Sequence, residues 1–274
     1  MTIDDLHGAI TETRLRAGWT PVRIGRRLDL RSETVSTNTD ALAAAEAPDA
    51  DGLVVLAEYQ TQGRGRLGRP WLSPRGAGVL CSALIIEPDG PPEEAFGTVA
   101  GRLTLVAGVA VCEAVRQATD IAPAIKWPND LRAGGRKLGG VLIESRALPA
   151  GGRAWAIGVG INCLQHKGHF PPELQDSAGS LEMLTAQPVD RGEVARCLLV
   201  RLDAWLSGAA WLDDASVRDT WLSHAEPVGR RVIARCEGRQ VEGTSLTIDP
   251  FGGLIVQGDD GRQHWLDPMR TTLL

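Results

Sequence analysis

The run Gln60-Thr-Gln-Gly-Arg-Gly-Arg-Leu-Gly-Arg69 narrows the possible folds more than any other stretch of the chain. Gly63, Gly65 and Gly68 satisfy GxGxxG, a spacing that in dinucleotide-binding units lets the third glycine open a helix beneath a pyrophosphate. Here Pro70 and Pro74 follow at once, and the next regular segment reads as a strand. Proline lacks an N–H and blocks helix continuation, which disfavours a Rossmann-type dehydrogenase. The run also lacks the closing Lys-Ser/Thr pair of a phosphate-binding P-loop. It does carry Arg64, Arg66 and Arg69 interleaved with glycines. Glycines let a backbone close over a ligand, and arginine offers forked donors to carboxylate and phosphate. Such a loop suits an anion held inside a pocket; the bland alternative is a solvated basic turn.

The order of elements around this loop is irregular. Residues 3–17 read as an amphipathic helix marked by Leu6, Ile10 and Leu15 and ended by Gly18. An extended segment follows at Leu28–Val35, then a helix capped by Ser36 or Thr37 and running through Ala45. Strands are expected at Leu53–Ala57, Val79–Ile86, Ala124–Trp127, Val141–Glu144 and Trp155–Val159, and helices at Ala95–Ala118, after Asp190, and over about 215–224. This mixture favours an α+β fold over strict alternation. After Pro227 the texture changes to short strands at Val228–Cys236, Gln240–Ile248, Leu254–Val256 and Gln263–Leu266. Turns at Glu237-Gly238, Asp249–Gly253 and Asp259–Gly261 separate them, as in a small barrel. The expected division is therefore 1–227 and 228–274.

Composition excludes several classes. The net charge of −5 gives no basic excess for broad nucleic-acid binding. The longest strongly apolar stretch, Leu103–Cys112, is far short of a membrane span, and the acidic start lacks the order of a secretory signal. The five cysteines are scattered, with no CxxC pair, and read as buried free thiols of a reducing cytoplasm. No clustered ligands suggest a metal site. Lysine occurs only at Lys126, Lys137 and Lys167, whereas every other base is arginine. Two of those lysines fall in Gly/Pro/Asn-rich segments, where a compact ammonium can be what is needed.

Those segments are Lys126-Trp-Pro-Asn-Asp130 and Arg136-Lys-Leu-Gly-Gly140. A strand running into Pro-Asn-Asp makes a turn by local chemistry alone. Placed beside the Gly/Arg loop, its cations would stabilise the negative charge that builds on an α-phosphoryl group as pyrophosphate leaves.

Taken in order, several motifs resemble the biotin–protein ligases. They are Ser36-Thr-Asn38, Ala57-Glu-Tyr-Gln60, Gly63-Arg-Gly-Arg-Leu-Gly-Arg-Pro-Trp71, Lys126-Trp-Pro-Asn-Asp-Leu131, Lys137-Leu-Gly-Gly-Val-Leu-Ile-Glu144 and Gly158-Val-Gly-Ile-Asn162. Phe170-Pro171 and Ser180-Leu181 continue the pattern. The resemblance implies a catalytic domain like that of class II aminoacyl-tRNA synthetases, with a mixed sheet flanked by helices, and an SH3-like C-terminal domain. It implies two half-reactions, in which biotin and ATP give biotinyl-5′-AMP and a lysine of a biotin carboxyl carrier domain of acetyl- or acyl-CoA carboxylase then takes the biotin. Mg²⁺ would arrive with ATP.

The resemblance also implies residue roles. Ser36, Thr37, Asn38 and Gln60 should hydrogen-bond the ureido ring, with Gly63 and Gly140 in the same biotin site. Arg64 and Arg66 should close over the adenylate, and Lys137 should contact the biotin carboxylate and α-phosphate. Lys126 and Asp130 should lie near the acyl phosphate, with Asp130 orienting Arg66 or receiving the amine. Arg69, Trp71, Asn129 and Asn162 should serve the nucleotide. Trp71 and Trp127 should wall the ligand or pack the core, and Gly139 and Gly140 should let the chain approach the ligand. The loop should be mobile when empty. Only 35 residues precede Ser36, fewer than the about 50 of an independent domain. The chain therefore reads as the type without a DNA-binding domain. No membrane or DNA partner is expected, and nothing in the sequence sets an oligomeric state. A lipoate–protein ligase and a non-catalytic biotin sensor are the competing readings.

Overall fold

The run Leu53-Val-Val-Leu-Ala57 is buried at all five positions, which a strand achieves only between two packed layers. Side chains alternate across a strand. Val54 and Leu56 accordingly enter the main core, and Leu53 and Val55 a smaller core on the opposite face. The computed structural model describes residues 8–87, 96–208, 210–226, 228–236, 238–249, 251 and 253–274. Its large sheet comprises β1 (Arg27–Arg31), β2 (Leu53–Ala57), β3 (Gly78–Glu87), β4 (Ala124–Lys126), β5 (Asp130–Ala133), β6 (Arg136–Ala147) and β7 (Arg153–Asn162). The spatial order is β1-β2-β3-β7-β6-β5-β4. β1 and β2 run parallel and the remaining neighbours antiparallel, so the sheet is mixed.

The described helices are α1 (Glu12–Leu15), α2 (Thr37–Ala43), α3 (Phe96–Ala118), α4 (Arg191–Ser207) and α5 (Asp214–His224). α3 and α4 cover the main core, through residues such as Leu103, Val106, Ala110, Leu198 and Leu202. α2 covers the smaller core, through Ala41. Asp190 caps α4 by accepting from the Glu193 N–H, as the sequence predicts. No helix among the described residues is long and apolar enough to cross a membrane.

The second sheet is built from β8 (Arg231–Cys236), β9 (Arg239–Ile248), β10 (Leu254–Gly258), β11 (Gln263–Leu266) and β12 (Thr271–Leu273), ordered β11-β10-β9-β8-β12 and antiparallel throughout. Its apolar face joins the main core through Ala234, Ile248, Leu254 and Val256. The contact with α3 is close. A Cβ at Gly101 would lie 2.0 Å from the Phe251 carbonyl oxygen, and the Arg102 guanidinium stands 4.8 Å from the Phe251 ring centre.

Several expectations are corrected. The helix expected over 3–17 is a single turn at Glu12–Leu15 capped by Thr11; residues 1–7 lie outside the described residues. Ser36 begins α2 but makes no side-chain cap. The first-turn N–H of Thr37 instead donates to Gln60 Oε1 at 2.8 Å, so the cap comes from another segment. The strand expected from Val141 begins at Arg136, and Lys126 ends β4. Lys137 therefore stands on a strand that was expected to begin after it, whereas Lys126 lies on a strand as expected. β5 and β12 are short strands that the sequence reading did not contain. The expected boundary at Pro227 and the turn residue Glu237 lie outside the described residues.

Candidate active site

On the face that α2 covers, β7 presents Ala154, Ala156, Gly158, Gly160 and Asn162 in turn, because alternate strand residues share a face. The two glycines open a trough in the sheet. Asn38 settles over Gly158, where an added Cβ would lie 2.5 Å from its Oδ1. Trp71 settles over Gly160, where a Cβ would come within 2.6 Å of the indole. Between these side chains and the Gly/Arg loop lies a cavity of about 510 Å³, a size suited to a small ligand. Every predicted site residue except Gly63 and Gly139 lines it.

The inner wall is neutral and internally bonded. Thr37 Oγ1 stands 3.1 Å from Gln60 Oε1 and 2.7 Å from Ser82 Oγ. Ser82 Oγ donates to Asn38 Oδ1 at 2.6 Å, and Asn38 Nδ2 donates to Glu144 Oε2 at 2.7 Å and to the Leu142 carbonyl at 3.3 Å. Buried polar atoms left unpaired are costly, and this chain of bonds prevents that. Ser82, fully buried, was not among the sequence-predicted residues. Its signal is a lone serine inside an apolar strand, a position that calls for a partner.

The mouth is charged. Arg64, Arg66, Arg69, Lys126, Arg132 and Lys137 line the cavity against the carboxylates of Asp130 and Glu173. Lys137 Nζ donates to Asp130 Oδ1 at 2.5 Å and lies 5.8 Å from the Trp71 ring centre. Arg64 is paired with Glu144 at 3.2 Å and donates to Thr39, so in this structure it is held by the protein. Arg66 donates to Asn129 Oδ1 at 3.2 Å, to the Pro268 carbonyl, and to the Thr271 carbonyl at 3.2 Å. Burial pulls its pKa below the ordinary arginine value and Arg69 adds to that, while Asp130 and Asp267 oppose it. Among the described residues no carboxylate forms an ion pair with Arg66, Arg69 or Lys126. Burying a charge is costly without compensation, so half-buried Arg66, with exposed Arg69 beside it, favours an incoming anion.

The remaining predicted residues take simpler places. Gly63 forms the neck of the loop: its carbonyl accepts from the Trp71 N–H at 2.8 Å, and a Cβ there would sit 2.4 Å from the Trp71 carbonyl oxygen. At the tip Leu67 and Gly68 both have left-handed backbones, with φ of 57° and 73°. That conformation is uncommon for leucine. Gly140 faces the cavity, but Gly139 is corrected: its close neighbour is the Gly160 carbonyl at 2.6 Å from an added Cβ, not a ligand. Asn162 bonds the Gly179 carbonyl at 2.9 Å and Gln165 at 3.1 Å. Trp127 is buried at 5% exposure, packs in the main core and edges the cavity. Thr272 and Leu273 from the small sheet also line the cavity, as does the segment holding Leu174 and Ala178. Residue types this ordinary, far along the chain from the motifs, give no sequence signal for this.

Comparison with known proteins now bears on the site. A family profile described as "Biotin/lipoate A/B protein ligase family" matches residues 32–162, and one described as "Biotin protein ligase C terminal domain" matches 228–266. The biotin--[acetyl-CoA-carboxylase] ligase of Paracoccus denitrificans is 34% identical over 242 residues, covering 85% of this chain and 95% of that protein. The chain belongs to the biotin protein ligase family. A second member, the biotin--[acetyl-CoA-carboxylase] ligase of Mycobacterium tuberculosis, is 36% identical over 88% of this chain and 84% of its own length. Among solved structures, the biotin protein ligase from Aquifex aeolicus in complex with biotin and ATP aligns with a TM-score of 0.74 at 28% identity. It covers 91% of this chain and 99% of that one. The fold of this chain is thus a biotin protein ligase fold, and the lipoate reading and the dehydrogenase reading fall away. The loop after β2 leads to β3 and not to a helix, as its prolines require.

Proposed function

We propose that this chain activates biotin with ATP and transfers it to a lysine of a carrier protein. A biotin carboxylate oxygen attacks the α-phosphorus of ATP, the bond to the β-phosphate breaks, and pyrophosphate leaves. The amine of the carrier lysine then attacks the acyl carbon of biotinyl-5′-AMP, releasing AMP and a proton. The observation that carries this reading is the division of one cavity into a neutral, bonded wall and a cation-rich mouth in which Arg66, Arg69 and Lys126 lack carboxylate partners among the described residues. A neutral bicyclic ring suits the first and a triphosphate the second.

In this reading Thr37, Asn38 and Gln60 form the ring site, with Ser36 at its edge. Lys137, held by Asp130, faces the reacting carboxylate and α-phosphate and stabilises the charge that develops there. Arg66, Arg69 and Lys126 receive the phosphates, and Arg66 leaves the carbonyls of Pro268 and Thr271 or shares them with the adenylate. Asn129 orients Arg66, Trp71 walls the ligand and Asn162 supports the nucleotide end. Mg²⁺ enters on the triphosphate, whose oxygens hold it. The carrier is the biotin domain of an acetyl- or acyl-CoA carboxylase. The division at 1–227 and 228–274 belongs to the same reading and is supported by the two separate sheets. The four described cysteines of the cores, all unpaired and buried, fit a cytoplasmic protein.

The test is intact-mass spectrometry of a purified biotin carrier domain incubated with this protein, Mg·ATP, and either biotin or lipoate. An ATP-dependent gain of one biotin supports the reading. A gain with lipoate alone, or no gain on two different carrier domains, overturns it.

A further inference from the structure

Glu144 ends the motif Lys137–Glu144 yet does not line the cavity. It stands on β6 opposite Ala156 of β7, one alternate position beyond Leu142, which pairs with Gly158. That register places its carboxylate beside Asn38, the side chain lying over Gly158. Asn38 is 3% exposed, and both hydrogens of its amide nitrogen are used, one toward Glu144 and one toward the Leu142 carbonyl. An ionised carboxylate only accepts. Glu144 therefore fixes which end of the Asn38 amide points where, and the Asn38 oxygen must face Ser82.

The consequence passes along the row. Ser82 has one proton, and the Asn38 oxygen at 2.6 Å has none to offer, so the Ser82 proton is committed there. The Thr37 hydroxyl lies 2.7 Å from Ser82 and 3.1 Å from Gln60 Oε1, both of which are left as acceptors for its proton. Facing the cavity, Thr37 is then left with a lone pair, and Gln60, whose Oε1 is held by the Thr37 N–H, is left with its amide nitrogen. The wall therefore offers an acceptor beside a donor, an arrangement that fits a cyclic urea with N–H and C=O side by side.

We propose that Glu144 is a positioning residue that sets the donor–acceptor order of this wall through Asn38 and Ser82. This rests on the proposed ligase function for the identity of the ring. The relay explains why a buried serine lies inside β3 and why β7 carries glycine at position 158. It also gives Asn38 its part in the ring site: its polar atoms are engaged by the protein, so it walls the ring and holds its neighbours in place.

The test is a double-mutant cycle read as the biotin Kd from calorimetry without ATP. Glu144→Ala and Ser82→Ala are each expected to weaken biotin roughly tenfold, the scale of one lost buried hydrogen bond. Because both break one relay, the double variant is expected to weaken it by about the same tenfold and not a hundredfold. Glu144→Gln, which restores an acceptor for Asn38, is expected within about threefold of the original chain. In Ser82→Ala the ATP Kd is expected to stay within about twofold, since Arg64 keeps its ion pair. Additive losses, an equal loss of ATP affinity in Ser82→Ala, or an unchanged biotin Kd in both single variants would each overturn the relay. Should Glu144→Ala not fold, the same non-additivity is expected between Ser82→Ala and Asn38→Ala, and additive losses there overturn it equally. Biotin binding without pyrophosphate release overturns the ligase reading alone; no biotin binding by the original chain overturns both.

Discussion

The two ends of the cavity solve opposite problems. At the ring end, Thr37, Asn38, Gln60 and Ser82 bond one another, so the wall is assembled before any ligand arrives. At the mouth, Arg66 is half-buried and held by two main-chain carbonyls and one amide oxygen, none of which carries a full charge. Specificity comes from a surface that has already made its bonds and can make only a few more. Reactivity comes from cations whose electrostatic capacity is still largely unfilled.

The largest effect that should separate the ends is Lys137→Ala. It is expected to cut biotin-dependent pyrophosphate release by about a thousandfold, the upper range for a preorganised charge at a transition state. The melting temperature should hardly change, because the Lys137–Asp130 pair is more than one-third exposed on the lysine side. Pyrophosphate release within tenfold of the original would remove Lys137 from the chemistry. Arg66→Ala should reduce the same rate about a hundredfold and weaken ATP more than biotin. Equal losses for both ligands would mean that the two ends are not separable. Thr37→Val acts at the other end: the biotin KM is expected to rise about tenfold while the ATP KM holds within about twofold. A matching rise for ATP would break the comparison from that side.

The smallest expected effect concerns Cys81, which lies beneath the cavity. Burial pushes its thiol up to about 12, so almost no thiolate forms near neutral pH. Iodoacetamide at neutral pH should leave the folded enzyme's activity intact, and rapid inactivation with a mass gain on Cys81 would show that the floor opens.

The chemistry was more legible in the sequence than the supports behind it. The helix Phe96–Ala118 and the strand Leu53–Ala57 follow from runs of apolar residues long enough to fill a buried element. The Gly/Arg loop and the Lys126–Asp130 turn announce themselves by residue types that few other roles require. Ser82 and the carbonyls of Pro268 and Thr271 do not. A serine in a strand looks like an ordinary small residue, and a carbonyl oxygen has no residue type at all. The cap on α2 was misassigned to Ser36 or Thr37 for a related reason. Local rules name the nearest hydroxyl, whereas the acceptor that serves Thr37 comes from Gln60, brought alongside by the parallel pairing of β1 and β2. The short strand β5 escapes because it begins within the Pro-Asn-Asp turn signal, and β12 because Thr271–Leu273 holds too little periodicity to read.

The tie between Arg66 and the two carbonyls of the small domain has a bearing on how such proteins diverge. An acceptor that belongs to the main chain survives almost any replacement of the side chains around it, provided the path of the backbone is kept. Two relatives could share this contact while agreeing at none of the residues that supply it. Exchanging the small domain between relatives would then be governed by the geometry of one short turn, and a chimera with few identical residues there could retain full activity where a closer match with one inserted residue would not.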